Sequence, residues 1–164
     1  MTKGSTYVLA VFVALFGYFG YQWWFNPARA VKQRLGEIAG ALSIPEGEGD
    51  LGRVARLARL RGFLAEDLRL KIGAEDIRTR DAALAIAAAW KPQPGSGDVH
   101  FADVQVFIES ESAAHAYLAV ELTSLDKESG HSVVDTRDAS VSLARQNREW
   151  VVTAAESKQL PDVH

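Results

Sequence analysis

The sequence predicts an α+β protein with a single N-terminal transmembrane helix, followed by three helices packed on a mainly antiparallel sheet. Three observations lead there. Residues Tyr7 to Phe25, YVLAVFVALFGYFGYQWWF, carry no charged side chain, and in a helix rising about 1.5 Å per residue such a run nearly covers the roughly 30 Å hydrocarbon layer of a bilayer. Between Pro27 and Trp90 apolar residues recur mostly at helical spacing. From Val99 to Ser157 they fall in extended stretches separated by the turn-rich SES, DKESG and RQN.

Tyr18, Tyr21, Trp23 and Trp24 crowd the second half of the apolar run, where amphipathic rings suit the headgroup boundary, and Asn26-Pro27 ends it. Tyr21, Trp23, Trp24 and the following Arg29 are the expected membrane-interface anchors. Ala10 and Ala14 stand at small-xxx-small spacing with Gly17 a turn further on, which permits close helix contacts inside a bilayer. A cleaved signal peptide competes with this reading, because Ala28-Arg29-Ala30 fits an A-x-A cleavage site. The length of the run, and the tryptophans where a signal's polar end belongs, favour a retained anchor. Lys3 and the amino terminus precede the run while Arg29, Lys32 and Arg34 follow it, a lean of one charge toward a cytoplasmic domain. Long domains translocate largely regardless of charge. The expected placement is therefore a single pass through the inner membrane with a periplasmic domain, the cytoplasmic side staying open.

Composition narrows the partners. About 130 residues follow the anchor, enough for one domain with its own core. The expected division is residues 1–26 for tail and anchor, 27–158 for the domain and 159–164 for a C-terminal tail. A formal net charge of −3, with both signs interspersed, gives no broad basic footprint, so nucleic acid is not an expected partner. The chain has no cysteine, which removes disulfide frameworks, thiolate zinc sites and thiol nucleophiles.

Taking the elements in order, Asn26 suits an N-cap and Pro27 a first helical position. Val31, Leu35, Ile38, Ala39 and Leu42 then form one apolar stripe. Arg29, Lys32 and Arg34 in the first turns read as a solvated face, with contact to anionic headgroups as the second reading. After the IPEGEGD loop, LGRVARLARLRGFL predicts a second helix with Leu51, Val54, Leu57, Ala58 and Leu60 inward and its arginines elsewhere. Asp67 to Ile72 alternates as a half-wet strand closed by Gly73. Asp76 to Arg80 reads as a short returning edge strand, and the alanine-rich Asp81–Trp90 as a third helix whose Trp90 plugs the core. Val99–Glu109, Ala113–Leu122, Ser132–Ala144 and Glu149–Ser157 follow as a four-stranded meander. Its expected core face carries Val104, Val106, Ile108, Ala116, Leu118, Val120, Leu122, Val141, Leu143, Trp150, Val152 and Ala154.

This order, two helices, a strand hairpin, a third helix and four long antiparallel strands, resembles the nuclear-transport-factor-like superfamily, also called SnoaL-like. The features that carry the resemblance are Leu68-Arg69-Leu70 running into Ile77-Arg78-Thr79-Arg80-Asp81-Ala82-Ala83-Leu84, and the closing Asn147-Arg148-Glu149-Trp150-Val151-Val152. It covers roughly residues 31–157. It implies a cone-like domain with a curved sheet and a pocket between helices and sheet. The superfamily holds ketosteroid isomerases, polyketide cyclases and limonene-epoxide hydrolases, together with non-catalytic members that dimerise, bind small apolar ligands or serve as subunits of membrane assemblies.

Chemistry is thinly written in the residues. Asp135 and Arg137 share strand parity with Val141 and Leu143 and are the candidates for the rim of the pocket, against the plainer reading of an ion pair on the sheet. Tyr117 and Glu121 share the opposite parity and read as solvent-side or interface residues. His100, His115, His131 and His164 lack ligand spacing, and no acyl-transfer or phosphate-loop motif is present, so no catalytic residue, metal or cofactor is expected. The favoured expectation is a non-catalytic, membrane-anchored accessory or scaffolding subunit docking on integral membrane subunits of a larger transport, secretion, respiratory or photosynthetic complex. The alternative is a protein that binds a small apolar ligand, or an isomerase- or cyclase-like enzyme, using the cone pocket. That alternative calls for an enclosed cavity with at least two polar side chains pointing in, and a cone filled by Trp90, Phe101, Leu118 and Trp150 would leave it no room.

Overall fold

The computed structural model describes residues 3–158, so the tail expected at 159–164 lies outside the described residues. Four helices and six strands follow in the order α1 (Lys3–Trp24), α2 (Pro27–Leu42), α3 (Asp50–Phe63), β1 (Leu64–Ile72), β2 (Glu75–Ile77), α4 (Arg80–Ala89), β3 (Asp98–Ser110), β4 (Ala113–Leu125), β5 (Ser132–Gln146) and β6 (Glu149–Lys158). The strands form one sheet in the order β2-β1-β6-β5-β4-β3. Every neighbouring pair is antiparallel except β1 with β6, which run parallel because α4 and the whole meander lie between them in the chain.

Helix α1 is long and apolar enough to cross a membrane, and every side chain from Tyr7 to Phe25 is exposed. Only Phe25 and Asn26 separate α1 from α2. Asn26 caps it, its Oδ1 accepting from Ala28 N at 3.0 Å, with Pro27 at the first helical position. Val31, Leu35, Ile38, Ala39 and Ala41 are its buried residues, close to the predicted stripe. Ser43 ends it by a tertiary contact: its Oγ donates to Ala39 O at 3.0 Å and accepts from Val99 N at 2.9 Å, fastening the end of α2 to the edge strand β3.

Helix α3 departs from its predicted face. Leu51 is 88% exposed and Val54 65% exposed, whereas Arg56, Leu60 and Phe63 are buried. Of the predicted stripe, Leu60 is buried and Leu57 half-buried, whereas Leu51, Val54 and Ala58 face outward, so the inward side is rotated toward Arg56, Leu60 and Phe63. The reason is that Arg56 has a partner: its Nε donates to Glu48 Oε1 at 3.0 Å and Oε2 at 3.3 Å, and its Nη1 to Ala41 O at 3.3 Å. An arginine so satisfied can enter the interior that an unpaired one cannot.

Strand β1 follows α3 without a loop and begins three residues before the predicted Asp67, burying Ala65 and Leu68. Strand β2 stops at Ile77, shorter than predicted, because Thr79 N-caps α4 through Oγ1, which accepts from Ala82 N at 3.2 Å. Trp90 does not plug the core. It caps α4, stays 38% exposed and lines a surface cleft with Pro45, Arg53 and Pro92. Gly97 explains part of that course: at φ +99°, a Cβ there would stand 2.8 Å from Pro92 Cγ, so the loop after Trp90 folds tightly in a conformation that excludes side chains.

Two bulges shape the sheet. In β3 the register against β4 shifts between Ala102 and Gln105, where Asp103 adopts φ +50°, so Phe101 before the bulge and Val104 and Val106 after it turn to the same face. In β6 the register shifts opposite Ser142 and Leu143, with Thr153 donating from Oγ1 to Ser142 O at 3.2 Å. Ala155 consequently packs on the core and Ala154, predicted inward, faces the other side with Ser142 and His115. Ile108, also predicted inward, lies toward the exposed end of β3. Ala116, Leu118, Val141, Leu143, Trp150 and Val152 are buried as predicted. Leu35, Leu68 and Val31 are the largest fully buried side chains, each contributing about 1.5–3 kcal/mol by burial.

Candidate functional site

Two places in the domain have the concavity and composition of sites. The first lies inside the cone. Leu35 and Ile38 of α2, Leu60 of α3, Leu70 of β1, Ala83 of α4 and Phe101 of β3 line a half-open cavity of about 160 Å³, and the rest of its lining is equally apolar. The space is of the size that admits a molecule like benzene. General acid–base work needs a titratable group within hydrogen-bond reach of the reacting atom. These walls are carbon. Phe101 lines the cavity, while Leu118 and Trp150 fill the neighbouring core.

The second place is the opposite face of the sheet. Asp103 and Gln105 of β3, Tyr117 of β4, Asp138 and Ser140 of β5 and Glu156 of β6 border an open cleft of about 640 Å³. Strand alternation makes it: these residues carry the parity opposite to Leu118 and Val141. Beside the cleft Tyr117 is 53% exposed and meets Phe107 edge-on, ring centres 5.9 Å apart, and His115 at 4.7 Å. His115 Nδ1 lies 3.2 Å from Ser142 Oγ. The cluster is an exposed aromatic surface ringed by carboxylates, suited to contact with a complementary surface. Sequence parity marks Tyr117 as outward-facing, but Phe107 reaches the same cluster only through register with His115 across β3 and β4.

Asp135 and Arg137 sit toward the far end of β5, opposite Leu122 and Val120, and both are exposed. They pair with each other, Arg137 Nε donating to Asp135 Oδ2 at 3.1 Å, and neither lines the apolar cavity. Ala10, Ala14 and Gly17 lie along α1, and the space a Cβ would take at Gly17 is open. Tyr21 packs on Phe25 with ring centres 4.7 Å apart, Trp24 is exposed, and the Arg29 guanidinium lies 4.6 Å over the Trp23 ring, a cation–π contact that bridges the junction between α1 and α2. His100 and His131 stand apart on β3 and the β4–β5 turn; His164 lies outside the described residues. In that turn Asp126 accepts from Ser129 Oγ at 2.8 Å and from Glu128 N at 3.1 Å. Chiefly the Ser129 hydrogen bond holds its carboxyl below the ordinary aspartate value.

The sequence matches no protein-family model and no curated protein. Solved structures do match. An NTF2-like protein of Shewanella oneidensis MR-1 superposes with a TM-score of 0.63 at 18% identity, over 81% of this chain and 99% of that one. The CaMKII hub homology domain of Chlamydomonas reinhardtii gives 0.65 at 11% identity, over 82% and 98%. A scytalone dehydratase-like protein of Novosphingobium aromaticivorans DSM 12444 gives 0.62 at 13% identity, over 83% and 87%. The described domain has the nuclear-transport-factor-like cone fold, a fold that carries enzymes and assembly domains alike.

Proposed function

We propose that this chain is a non-catalytic, membrane-anchored accessory or scaffolding subunit, whose α1 holds the cone beside the bilayer while the cone docks on integral membrane subunits of a larger complex. The observation that carries this reading is the uniform exposure of Tyr7–Phe25 next to a domain whose core closes without them. A 19-residue apolar surface of that kind is stable in lipid and aggregates in water. In this reading residues 1–26 are tail and anchor, 27–158 the working domain and 159–164 a tail. The domain is periplasmic, and Ala10, Ala14 and Gly17 form the contact face of the anchor. The outer aromatic surface at Phe107 and Tyr117, and the exposed Leu51 and Val54 of α3, supply surface for docking.

One observation favours a second reading. The 160 Å³ apolar cavity suits a small hydrophobic molecule arriving from the bilayer, bound without chemistry. Affinity capture of the tagged full chain from its native membrane, with mass spectrometry of what accompanies it, tests the first reading. Integral membrane proteins should co-purify, and Phe107→Glu or Tyr117→Arg should release them while the fold is retained. Recovery of a lone monomer from gently solubilised membranes would defeat it.

A further inference from the structure

We propose that the end of the domain adjoining α1 is a binding surface for anionic phospholipid headgroups, built from Arg29 and Lys32 of α2 and Arg145 and Arg148 of the β5–β6 hairpin. It deepens the anchored reading above and rests on it. The placement follows from connectivity. Since only two residues separate α2 from α1, its first turn lies at the boundary that the anchor defines. Arg34, a turn or so further along α2, brings the hairpin to the same end: its Nε donates to Trp150 O at 2.9 Å and its Nη2 lies 3.4 Å from Glu149 Oε2. Arg145 N donates to Ser112 O at 2.9 Å, tying the β3–β4 turn to this end as well.

Charge partition and position together single out the four cations. Arg34 is taken up by Glu37 and Glu149, and Arg53, Arg56, Arg61, Arg78, Arg80 and Arg137 each have a carboxylate within 4 Å. Among the described residues nine exposed cations make no ion pair: Arg59, Arg69, Lys71, Lys91 and Lys127 lie on α3, β1 and the loops after α4 and β4, whereas Arg29, Lys32, Arg145 and Arg148 stand on the first turns of α2 and the β5–β6 hairpin. Glu109 and Glu111, near the adjoining β3–β4 turn, are also exposed, and Glu37 and Glu149 share Arg34, so five cations and four carboxylates stand at this end. The hairpin tip is unusual: Asn147 and Arg148 adopt φ +50° and +67°, a two-residue turn in which glycine or asparagine would relieve the crowding an arginine keeps. Arg29 is held over Trp23, itself an interface residue of the apolar run, which puts its guanidinium at headgroup depth. A Lys or Arg within a Debye length of an anionic leaflet gains about fivefold in local affinity.

The test uses the full chain, which has no native cysteine to compete with an introduced label. Gln146→Cys carries a fluorophore at the hairpin, and Lys127→Cys carries one in the β4–β5 turn at the opposite end. Each is reconstituted into vesicles of phosphatidylcholine alone, or with added phosphatidylglycerol, containing a headgroup-linked quencher. The expected result is several-fold stronger quenching at the hairpin in the anionic vesicles, reversed by high salt and abolished by Arg145→Glu with Arg148→Glu, while the opposite label does not respond. Equal quenching in both vesicles, or indifference to the double charge reversal, overturns the proposal. Flotation and alkaline carbonate extraction of the same samples test the anchor separately, since release of the chain into the soluble fraction sinks the anchored reading itself.

Discussion

Glu48 and Arg56 form an ion pair whose two side chains are each 92% withdrawn from solvent, joining the α2–α3 loop to the second turn of α3. The pair also reaches Ala41 O, so three elements of backbone depend on one guanidinium. Glu48→Gln leaves the Arg56 charge buried with only a carbonyl and an amide to satisfy it. The expected loss is about 3–5 kcal/mol, read as a lower midpoint in urea unfolding of the detergent-solubilised chain. Replacing both residues together by Leu and Met is expected to be neutral or stabilising, because it removes the desolvation cost along with the attraction.

Ser43 joins the end of α2 to β3. Ser43→Ala leaves the Val99 N–H without its acceptor, an expected cost of about 1–3 kcal/mol. Hydrogen exchange at Val99 and Ile44 should accelerate while amides of α4 stay protected; uniform acceleration across the domain would mean that the contact is not local.

Leu35 faces the cavity and is fully buried. Leu35→Ala enlarges the space and is expected to destabilise by about 2–5 kcal/mol. The same variant should bind benzene or xenon more tightly than the parent, visible as a larger rise in melting temperature. Loss of stability without any gain in binding would show that the walls collapse into the space.

Asp126 sets a pH dependence confined to one turn. Its folded carboxyl lies below the ordinary value of 3.8, so the unfolded chain takes up the proton first as pH falls. The contribution of the Ser129 contact is therefore complete above the unfolded value and fades as pH drops through the lower, folded one. An NMR titration should show the Glu128 and Ser129 amides shifting with a midpoint below the ordinary value. Ser129→Ala should move that midpoint upward.

Leu15 lies mid-run in α1. Leu15→Arg is expected to disfavour insertion by about 2.5–3.5 kcal/mol, lowering the membrane-integrated fraction in carbonate extraction. An unchanged fraction would argue that the helix does not cross the bilayer.

Local pattern makes most of the architecture legible in the sequence itself. An uncharged run from Tyr7 to Phe25, an Asn26-Pro27 helix start, a stripe from Val31 to Leu42 and four alternating stretches after Val99 are properties of neighbouring residues, and the backbone obeys them because helix and strand fix the direction of each side chain. Tertiary structure decided what depends on distant partners. Glu48 makes it tolerable for α3 to bury Arg56 and expose Leu51; the bulges at Asp103 and Thr153 move Phe101 and Ala155 inward; and strand register gathers Phe107, His115 and Tyr117 on one outer face. Bulges and ion pairs are written in no spacing, because each arises from the meeting of segments far apart in the chain.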